Sequence, residues 1–419
     1  MFLKNIAFLK KRSSVFYNVL ALFSGTVIAQ SIPIIISPLI TRLYSPADFG
    51  NLSFFIGVSS IIAGIASGKY ELAIVIPSKR IEAIRVALIA FLFSIITTII
   101  VAGSTLILKY YNIGLFNIES DLLFYLPINV FLLSTINILN YWIGRNKQYI
   151  KISKGKISQS ITSCIAQLSF GIYKISSYGL IKANIIGQIF FVILVGKNFI
   201  ISLWRFKKYF NYTTLRDVFS RYKKFLYYYT PTTLLDNASL QAPILIITYY
   251  YDVFSTGLFG LAFRLISLPA SLIGSAISQV YLQKLAELKN NGHNLKPFVM
   301  QTLKRLVLLA IGPTIFVIVF GRVLFSFVFG HEWEISGQIA QILAIPFAIR
   351  FVTSPLSPVL IVNEKFQILT SWQLIYFIFT FIVLFIGSYY PFITFFYFYA
   401  ISETVMYLLY LFLIIKYSR

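Results

Sequence analysis

Charged side chains inside or beside long apolar runs are the residues of this sequence most able to do chemistry. The basic ones are Lys69, Arg264 and Arg350, and the acidic ones are Glu71, Asp236 and Glu403. An ionisable group in hydrocarbon costs several kcal/mol unless it faces a water-filled cavity or a partner of opposite charge. A guanidinium fork pairs with two oxygens of one phosphate. The basic residues are therefore candidate ligands for an anionic substrate, and the acidic ones are candidates for binding a coupling ion.

The two arginines share a local setting, because each comes shortly before a proline. Pro269 follows Arg264, and Pro355 follows Arg350. A proline that interrupts a helix frees backbone groups, which membrane proteins tolerate where the chain lines a cavity. We therefore expect both arginines to line a cavity, and a structural salt bridge is the alternative for each.

Other basic residues of the apolar runs lie close to the ends of those runs. These are Lys182, Lys197 and Arg322, whose long side chains can reach the membrane interface. Counted together, the embedded basic residues outnumber the embedded acidic ones, so a cavity among them would be positive. A positive cavity prefers an anion, whereas an exporter of small cations or cationic drugs needs unpaired embedded carboxylates.

The apolar runs predict an all-α integral membrane protein. Hydrophobic residues make up 58% of the chain and charged residues 12%, against about 25% charged residues in soluble domains. Because one span needs about 20 residues, the chain accommodates about twelve spans and short loops. We place them at Val15–Ile36, Phe49–Ala66, Val86–Leu108, Leu122–Ile143, Ile157–Ile172, Leu180–Leu203, Leu226–Tyr249, Gly257–Val280, Leu306–Phe329, Ile339–Ile361, Ile368–Tyr389 and Phe392–Ile415. The fifth is the weakest, because Ser and Gln residues dilute it.

Lysine and arginine residues fix the expected orientation of the spans. They crowd into every second gap, and the gaps between contain only Arg42, Lys109 and Lys174. Since cytoplasmic loops carry the excess of Lys and Arg, this pattern puts both termini in the cytoplasm. The net charge of +23 does not indicate a nucleic-acid surface, because the basic residues are dispersed among apolar segments.

The longest basic gap divides the chain into two halves. We predict an N-terminal lobe of residues 1–203, a basic cytoplasmic linker of residues 204–224 and a C-terminal lobe of residues 225–419. With about six spans each, the lobes would run in the same direction, as in transporters built from parallel repeats. A substrate path would then lie between them.

Motifs for cofactors, metals and catalysis are missing from the sequence. The segment Gly155–Ser158 lacks the glycine spacing of a phosphate-binding loop, and no nucleophile elbow or zinc-binding helix is present. A single cysteine, Cys164, makes a cysteine-based metal site implausible. His293 and His331 fall in gaps on opposite sides of the predicted membrane. The sequence therefore predicts no cofactor, no metal and no enzymatic activity.

Several stretches resemble the Wzx-type oligosaccharide flippases of the multidrug/oligosaccharidyl-lipid/polysaccharide (MOP) exporter superfamily. They occur in both halves, and the runs around Arg264 and Arg350 are the most specific. The stretches are Lys69–Pro77, Arg221–Phe225, Tyr229–Pro231, Phe263–Gly274, Ser278–Val280, Phe329–Trp333, Gln341–Leu343 and Ile349–Leu356.

The resemblance implies a fold of two lobes around a central cavity and the transfer of undecaprenyl-pyrophosphate-linked oligosaccharide to the periplasmic leaflet. The glycan would be O-antigen of lipopolysaccharide or a related surface polysaccharide, and the location would be the bacterial inner membrane. The implied partners are this lipid-linked substrate, the bilayer and a polysaccharide polymerase machinery. Arg264, Arg350 and Lys69 would hold the pyrophosphate. Two positions depart from the pattern, because similar proteins carry an amide in place of Asp236 and more often an arginine in place of Lys69.

Two other classes of function compete with this interpretation. An ion-coupled exporter of drugs or small cations could share the superfamily fold. Its cavity would be negatively charged, whereas the cavity of a flippase for an anionic lipid would be positively charged. A membrane-embedded polysaccharide polymerase would need a large periplasmic loop, and no predicted outside gap is long enough. The driver of transport, an ion gradient or consumption of the product, is left open by the sequence.

Overall fold

The computed structural model describes residues 2–111, 120–206 and 211–418, with the side chains of residues 2–22, 120, 269–273, 275–280, 283 and 366 outside the description. Within these ranges the ordered elements are helices, and the all-α prediction is confirmed. Compact packing divides the chain into two units. One unit contains the chain up to Leu43 together with Phe55–Asn237, and the other contains Tyr44–Phe54 together with the chain from Ala238 onward.

The first half of the chain forms eight helices. They are α1 Phe2–Leu43, α2 Pro46–Ile65, α3 Tyr70–Ala73, α4 Arg80–Tyr110, α5 Leu126–Arg145, α6 Tyr149–Ile172, α7 Ser177–Phe206 and α8 Tyr212–Lys224. A 3₁₀ turn, Ser120–Tyr125, leads into α5, and a π-helical turn, Phe225–Tyr229, follows α8.

The second half of the chain forms seven more helices. They are α9 Thr230–Tyr250, α10 Val253–Asn290, α11 Lys296–Phe329, α12 Glu334–Thr353, α13 Pro358–Val362, α14 Phe366–Gly387 and α15 Phe392–Lys416. The 3₁₀ turns His331–Trp333 and Ser354–Leu356 flank α12.

Nine helices among the described residues are long and apolar enough to cross a bilayer. The other three predicted spans, the fifth, seventh and eighth, fall on α6, α9 and α10. In α6 and α9 the polar residues lower the hydropathy, and in α10 the described apolar segment ends at Leu268, because the side chains that follow it lie outside the description. Each predicted span thus falls on helical residues, although the tenth extends from α12 across a 3₁₀ turn into α13. Helix α6 is the polar helix that the sequence indicated.

The first unit is held together by helices that touch at small residues. Helix α6 packs on α1 and on α7. Gly25 of α1 lies against Ser153, and Gly155 of α6 lies against Phe191 of α7. A larger side chain at either glycine would separate the helices, so small residues allow the close packing that membrane helices depend on. The apolar core of this unit includes Phe191 and joins residues of α3, α4, α5, α6, α7 and α8.

Helix α8 occupies most of the segment that we predicted as a linker. It is amphipathic, and it packs on α4 through Val218 and Tyr222 while its charged residues are exposed. Residues 207–210 of the predicted linker lie outside the described ranges. The division between the compact units comes later, between Asn237 and Ala238.

The second unit has its core among α10–α15, with α12 in contact with α10, α11 and α15. The start of α2 joins this unit, where Gly50 lies against Val253 and Phe49 forms an edge-to-face pair with Trp333, with ring centroids 4.9 Å apart. The backbones of α2 and α10 also meet at Gly257, which packs on the Pro46 carbonyl. The buried core is therefore completed by residues from near the beginning of the chain.

One expectation about helix breaks is confirmed and the other is wrong. After Arg350, α12 ends at Thr353 and the chain passes through a 3₁₀ turn into α13, so the helix is interrupted at the prolines. After Arg264, α10 continues unbroken to Asn290. A proline in a membrane helix removes one hydrogen-bond donor, and this loss can be absorbed without ending the helix.

We predict that Gly257→Ala destabilises the protein, because the added Cβ would overlap the Pro46 carbonyl oxygen. Overpacking of this kind costs about 1–3 kcal/mol, and thermal unfolding of the detergent-solubilised protein measures it. The control is Gly103→Ala in α4, where no atom lies within 4 Å of an added Cβ. The control should leave the midpoint temperature of unfolding unchanged or raise it. Equal midpoint temperatures for the two variants would contradict the close contact between Gly257 and Pro46.

Candidate functional site

The first charged cluster lies where α2 ends, in the first unit. Gly68 and Lys69 both have φ of 59°, which turns the chain sharply into the short helix α3. This backbone costs a residue other than glycine about 1–2 kcal/mol. The Lys69 ammonium lies 3.5 Å from Oε1 of Glu71, which is 2% exposed, and the Ser67 hydroxyl donates a hydrogen bond to the same carboxylate. The turn therefore places a lysine beside a buried acid.

Asp236 on α9 belongs to the same cluster. Its half-buried carboxylate interacts electrostatically with Lys69. The next residue, Asn237, donates from Nδ2 to the Ser60 carbonyl oxygen of α2 at 3.3 Å, and Asn237 also lies against Gly64. The contact with α2 fixes the rotation of α9 and thereby the direction of Asp236. Lys69 thus has two acidic neighbours.

The second charged cluster lies in the second unit, between α12, α14 and α15. Nη1 of Arg350 is 3.7 Å from Oε2 of Glu403, whose side chain is fully buried. The Tyr376 hydroxyl donates to Oε1 of Glu403 at 2.5 Å. The guanidinium also lies over the Tyr407 ring at 5.4 Å and the Phe347 ring at 5.8 Å. For Arg350, the salt bridge that the sequence left as the alternative is present, and a cavity-lining role stays a prediction.

Aromatic side chains surround the Arg350–Glu403 pair. The Trp372 ring stacks on Tyr410 with centroids 4.0 Å apart and on Tyr376 at 5.2 Å. Tyr376 follows Trp372 by one helical turn on α14, and Tyr407 follows Glu403 by one turn on α15. Sequence reasoning missed these aromatic partners, although their spacing of four residues from Trp372 and Glu403 was the available signal.

Arg264 differs from the other predicted ligands, because it is exposed on the surface of α10. Its carbonyl oxygen accepts a hydrogen bond from the Ser267 hydroxyl at 3.3 Å. The next two residues, Leu265 and Ile266, line an apolar groove of about 200 Å³. The structure thus groups the predicted residues as Lys69 with Glu71 and Asp236 and as Arg350 with Glu403, while Arg264 lies apart from both groups on α10.

The basic residues expected near the membrane interface have partners of their own. Arg322 donates from Nε to Oε1 of Glu334 at 2.5 Å. Lys182 lies 5.8 Å and 6.0 Å from the centroids of the Tyr125 and Tyr178 rings. These contacts agree with side chains that reach toward the ends of their helices.

A further charged group, at the start of α4, was not singled out from the sequence. The Glu82 carboxylate accepts from Nη1 of Arg221 at 2.8 Å and from the Tyr222 hydroxyl at 3.0 Å. Burial and the bond to Glu82 raise the pKa of the Tyr222 phenol. This contact attaches α8 to α4. It joins residues far apart in sequence, so no local pattern could have revealed it.

Similarity to solved structures establishes the class of fold. Over 96% of this chain and 87% of the other, it matches an inward closed conformation of the lipid II flippase MurJ, with a TM-score of 0.73 and 15% identity. The chain also matches an inward-facing multidrug resistance MATE family transporter of the MOP superfamily. This match covers 94% of this chain and 97% of the transporter, with a TM-score of 0.72 and 12% identity. The Vibrio cholerae MATE transporter VcmN in the bent form matches over 97% of both chains, with a TM-score of 0.55 and 14% identity. The protein therefore has the all-α MOP fold.

The family follows from the sequence match. The family described as "Polysaccharide biosynthesis protein" matches residues 39–338. The chain belongs to this family. Among curated proteins, none matches it.

We predict that the Arg350–Glu403 pair is energetically coupled. Glu403→Gln and Arg350→Met should each lower the free energy of unfolding by about 3–5 kcal/mol, because each leaves one buried group without its counter-charge. The double variant should recover much of this loss. A double-mutant cycle of unfolding in detergent measures the coupling. Strictly additive losses would show that the two groups do not stabilise each other.

Proposed function

We propose that this protein is a Wzx-type flippase that moves an undecaprenyl-pyrophosphate-linked oligosaccharide across the bacterial cytoplasmic membrane. The oligosaccharide would be the repeat unit of O-antigen or of a related surface polysaccharide. The observation that carries the proposal is membership of the polysaccharide biosynthesis family in a chain with the MOP fold. A lipid-linked glycan is the polysaccharide intermediate that has to cross a membrane.

The embedded cations support an anionic substrate. A pyrophosphate has oxygens for a guanidinium fork and for an ammonium. Arg264 is the foremost candidate because it is exposed within the apolar segment Val253–Leu268 of α10. Lys69 and Arg350 are held by acids in this conformation, so each would have to exchange a carboxylate for a phosphate when substrate binds.

The alternative, an ion-coupled exporter of drugs or small cations, is less well supported. MurJ and the MATE transporter match the fold about equally, so the fold does not choose between them. The pairing of the embedded carboxylates with basic residues favours the flippase over the cation exporter. Glu71 and Glu403 are ion-paired with Lys69 and Arg350, and Asp236 interacts with Lys69. A cationic drug would therefore meet carboxylates that are already compensated.

The proposed mechanism is alternating access. The N-terminal lobe, residues 1–203, and the C-terminal lobe, residues 225–419, would rock about a cationic cavity, with residues 204–224 linking them on the cytoplasmic side and both termini in the cytoplasm. Glu71, Asp236 and Glu403 are the candidates for binding a coupling ion. Consumption of the product by a polysaccharide polymerase is the other possible driver. No covalent bond of the substrate changes, so the protein would act as a transporter and not as an enzyme.

The first functional prediction concerns surface polysaccharide. Deletion of the gene should abolish the polymer and trap lipid-linked repeat units in the cytoplasmic leaflet, and the wild-type gene should restore both. Arg264→Ala should lower translocation about tenfold to a hundredfold, because a hydrogen bond to a charged group contributes about 1.5–3 kcal/mol. Immunoblots of the polymer and leaflet-specific labelling of the repeat units measure these effects at matched membrane levels.

The matched control for Arg264→Ala is Arg322→Ala. It removes the same side chain from a position that pairs with Glu334 near a helix end, and it should retain translocation. Intact polymer in the deletion strain, with no second flippase present, would refute the proposed function. An equal loss of translocation in Arg264→Ala and Arg322→Ala would refute the specific role of Arg264.

The second functional prediction concerns Lys69. The double variant Lys69→Gly/Glu71→Gln removes the ammonium and its counter-charge, while glycine adopts the positive φ without strain. It should accumulate in the membrane at the wild-type level and translocate about tenfold less substrate. Glu71→Gln alone keeps the ammonium, so the additional loss of translocation in the double variant measures the contribution of Lys69. Normal translocation by the double variant would remove Lys69 from the substrate site.

A further inference from the structure

Lys156 on α6 is a cation held inside the first unit. Its half-buried side chain donates a hydrogen bond from Nζ to the Thr26 hydroxyl of α1 at 3.1 Å. None of the described carboxylates forms an ion pair with it, and residues 1–22 contain no Asp or Glu. Lys156 therefore differs from Lys69 and Arg350, whose charges are compensated by acids.

The position of Lys156 along α6 puts its charge within the hydrocarbon layer. Helix α6 contains 24 residues, Tyr149–Ile172, so it is about 36 Å long and only slightly longer than a hydrocarbon core of about 30 Å. Lys156 comes about two turns after Tyr149, roughly 10 Å from that end of the helix. An ammonium at this depth is costly when no counter-charge accompanies it, and such residues usually mark a functional site.

The rotation of α6 turns this charge away from lipid. Ile165 comes nine residues after Lys156, which puts it on the opposite side of the helix, and Ile172 shares the side of Ile165. Both isoleucines are exposed. A lysine near lipid usually extends to the interface, but the hydrogen bond to Thr26 holds this ammonium between α1 and α6. The charge is therefore directed into the first unit.

A second polar group, on α1, also lacks a partner. Gln30 follows Thr26 by one turn, so the two side chains share a face of α1 and lie about 6 Å apart along its axis. The Oε1 atom of Gln30 is buried and accepts no hydrogen bond from the described residues. Buried polar atoms are seldom left in this state. The same face of α1 thus meets an ammonium without a counter-charge and presents an acceptor without a donor.

The ligand that satisfies both groups carries anionic oxygens close to a hydroxyl. A phosphate accepts hydrogen bonds from an ammonium, and a hydroxyl donates one to an amide oxygen. A glycan diphosphate has both, because the hydroxyls of its first sugar lie beside the linking phosphate. The phosphatidylglycerol headgroup shares this chemistry. It stays at the interface, however, because its phosphate is costly to bring into hydrocarbon.

We propose that Lys156 binds the diphosphate of the lipid-linked glycan and that Gln30 accepts a hydrogen bond from a hydroxyl of its first sugar. This inference rests on the proposed function and adds a site on the first unit. Lys156 has no carboxylate to exchange for a phosphate, in contrast to Lys69 and Arg350. The site would recognise the junction between the diphosphate and the glycan.

The test measures the binding of two probes to the full-length protein in nanodiscs of neutral lipid. One probe is farnesyl diphosphate, and the other is the lipid-linked repeat unit that accumulates in the deletion strain. Lys156→Met should weaken the binding of both probes about tenfold or more, because it removes the ammonium. Gln30→Leu should weaken only the repeat unit, about threefold to tenfold, because farnesyl diphosphate has no sugar.

The chain provides a matched control on the same helix. Lys154→Met removes a lysine that is exposed two residues earlier on α6, and it should bind both probes like the wild type. Lys156→Arg keeps the charge and should retain the binding of farnesyl diphosphate. The midpoint temperature of unfolding of Lys156→Met should equal or exceed that of the wild type, because an uncompensated charge is removed, whereas loss of a structural lysine would lower it. Lys156→Gln repeats the test if Lys156→Met does not fold.

The outcomes separate this site from the proposed function. Equal binding of farnesyl diphosphate by the wild type and Lys156→Met, or an equal loss in Lys154→Met, would overturn the site and leave the flippase intact. Loss of the Lys156-dependent binding when phosphatidylglycerol replaces part of the neutral lipid would assign the site to an ordinary headgroup. Unchanged binding of the repeat unit by Gln30→Leu would overturn the sugar contact. A deletion strain that keeps its polymer and accumulates no repeat unit would overturn the flippase, and farnesyl diphosphate would then decide the Lys156 site separately.

Discussion

A charge in the hydrocarbon layer needs a counter-charge or water, and this requirement determines how several helices of this protein are arranged. Arg350 and Glu403 connect α12 to α15, and Tyr376 connects α14 to the same carboxylate. Lys69 and Glu71 hold the turn after α2, with Asp236 of α9 as a further neighbour. Each charge would be costly alone, so the helices that carry them have to be neighbours.

Close helix packing provides the second constraint. Membrane helices gain little from the hydrophobic effect, because lipid is as apolar as their side chains. Contacts therefore depend on small residues that let backbones approach, as at Gly257 beside Pro46 and at Gly321 beside Gly337.

Function follows from the combination of these features with the family. The MOP fold is shared with a lipid II flippase and with drug transporters, so it fixes an architecture and leaves the cargo open. Membership of the polysaccharide biosynthesis family narrows the cargo. The pairing of Glu71 and Glu403 with basic residues supports the proposed anionic cargo, because it compensates the carboxylates that a cationic substrate would require.

Composition and spacing alone determined the helical class, the positions of the apolar helices and the identity of the embedded charges. These depend on residues that are neighbours in the chain. The sequence could not decide between a cavity and a salt bridge for Arg350, nor find the apolar groove that Leu265 and Ile266 line on α10. Arg350 and Glu403 are more than fifty positions apart, and the groove joins three helices. Only the tertiary structure brings such residues together, because packing, and not local sequence, sets the distances between helices.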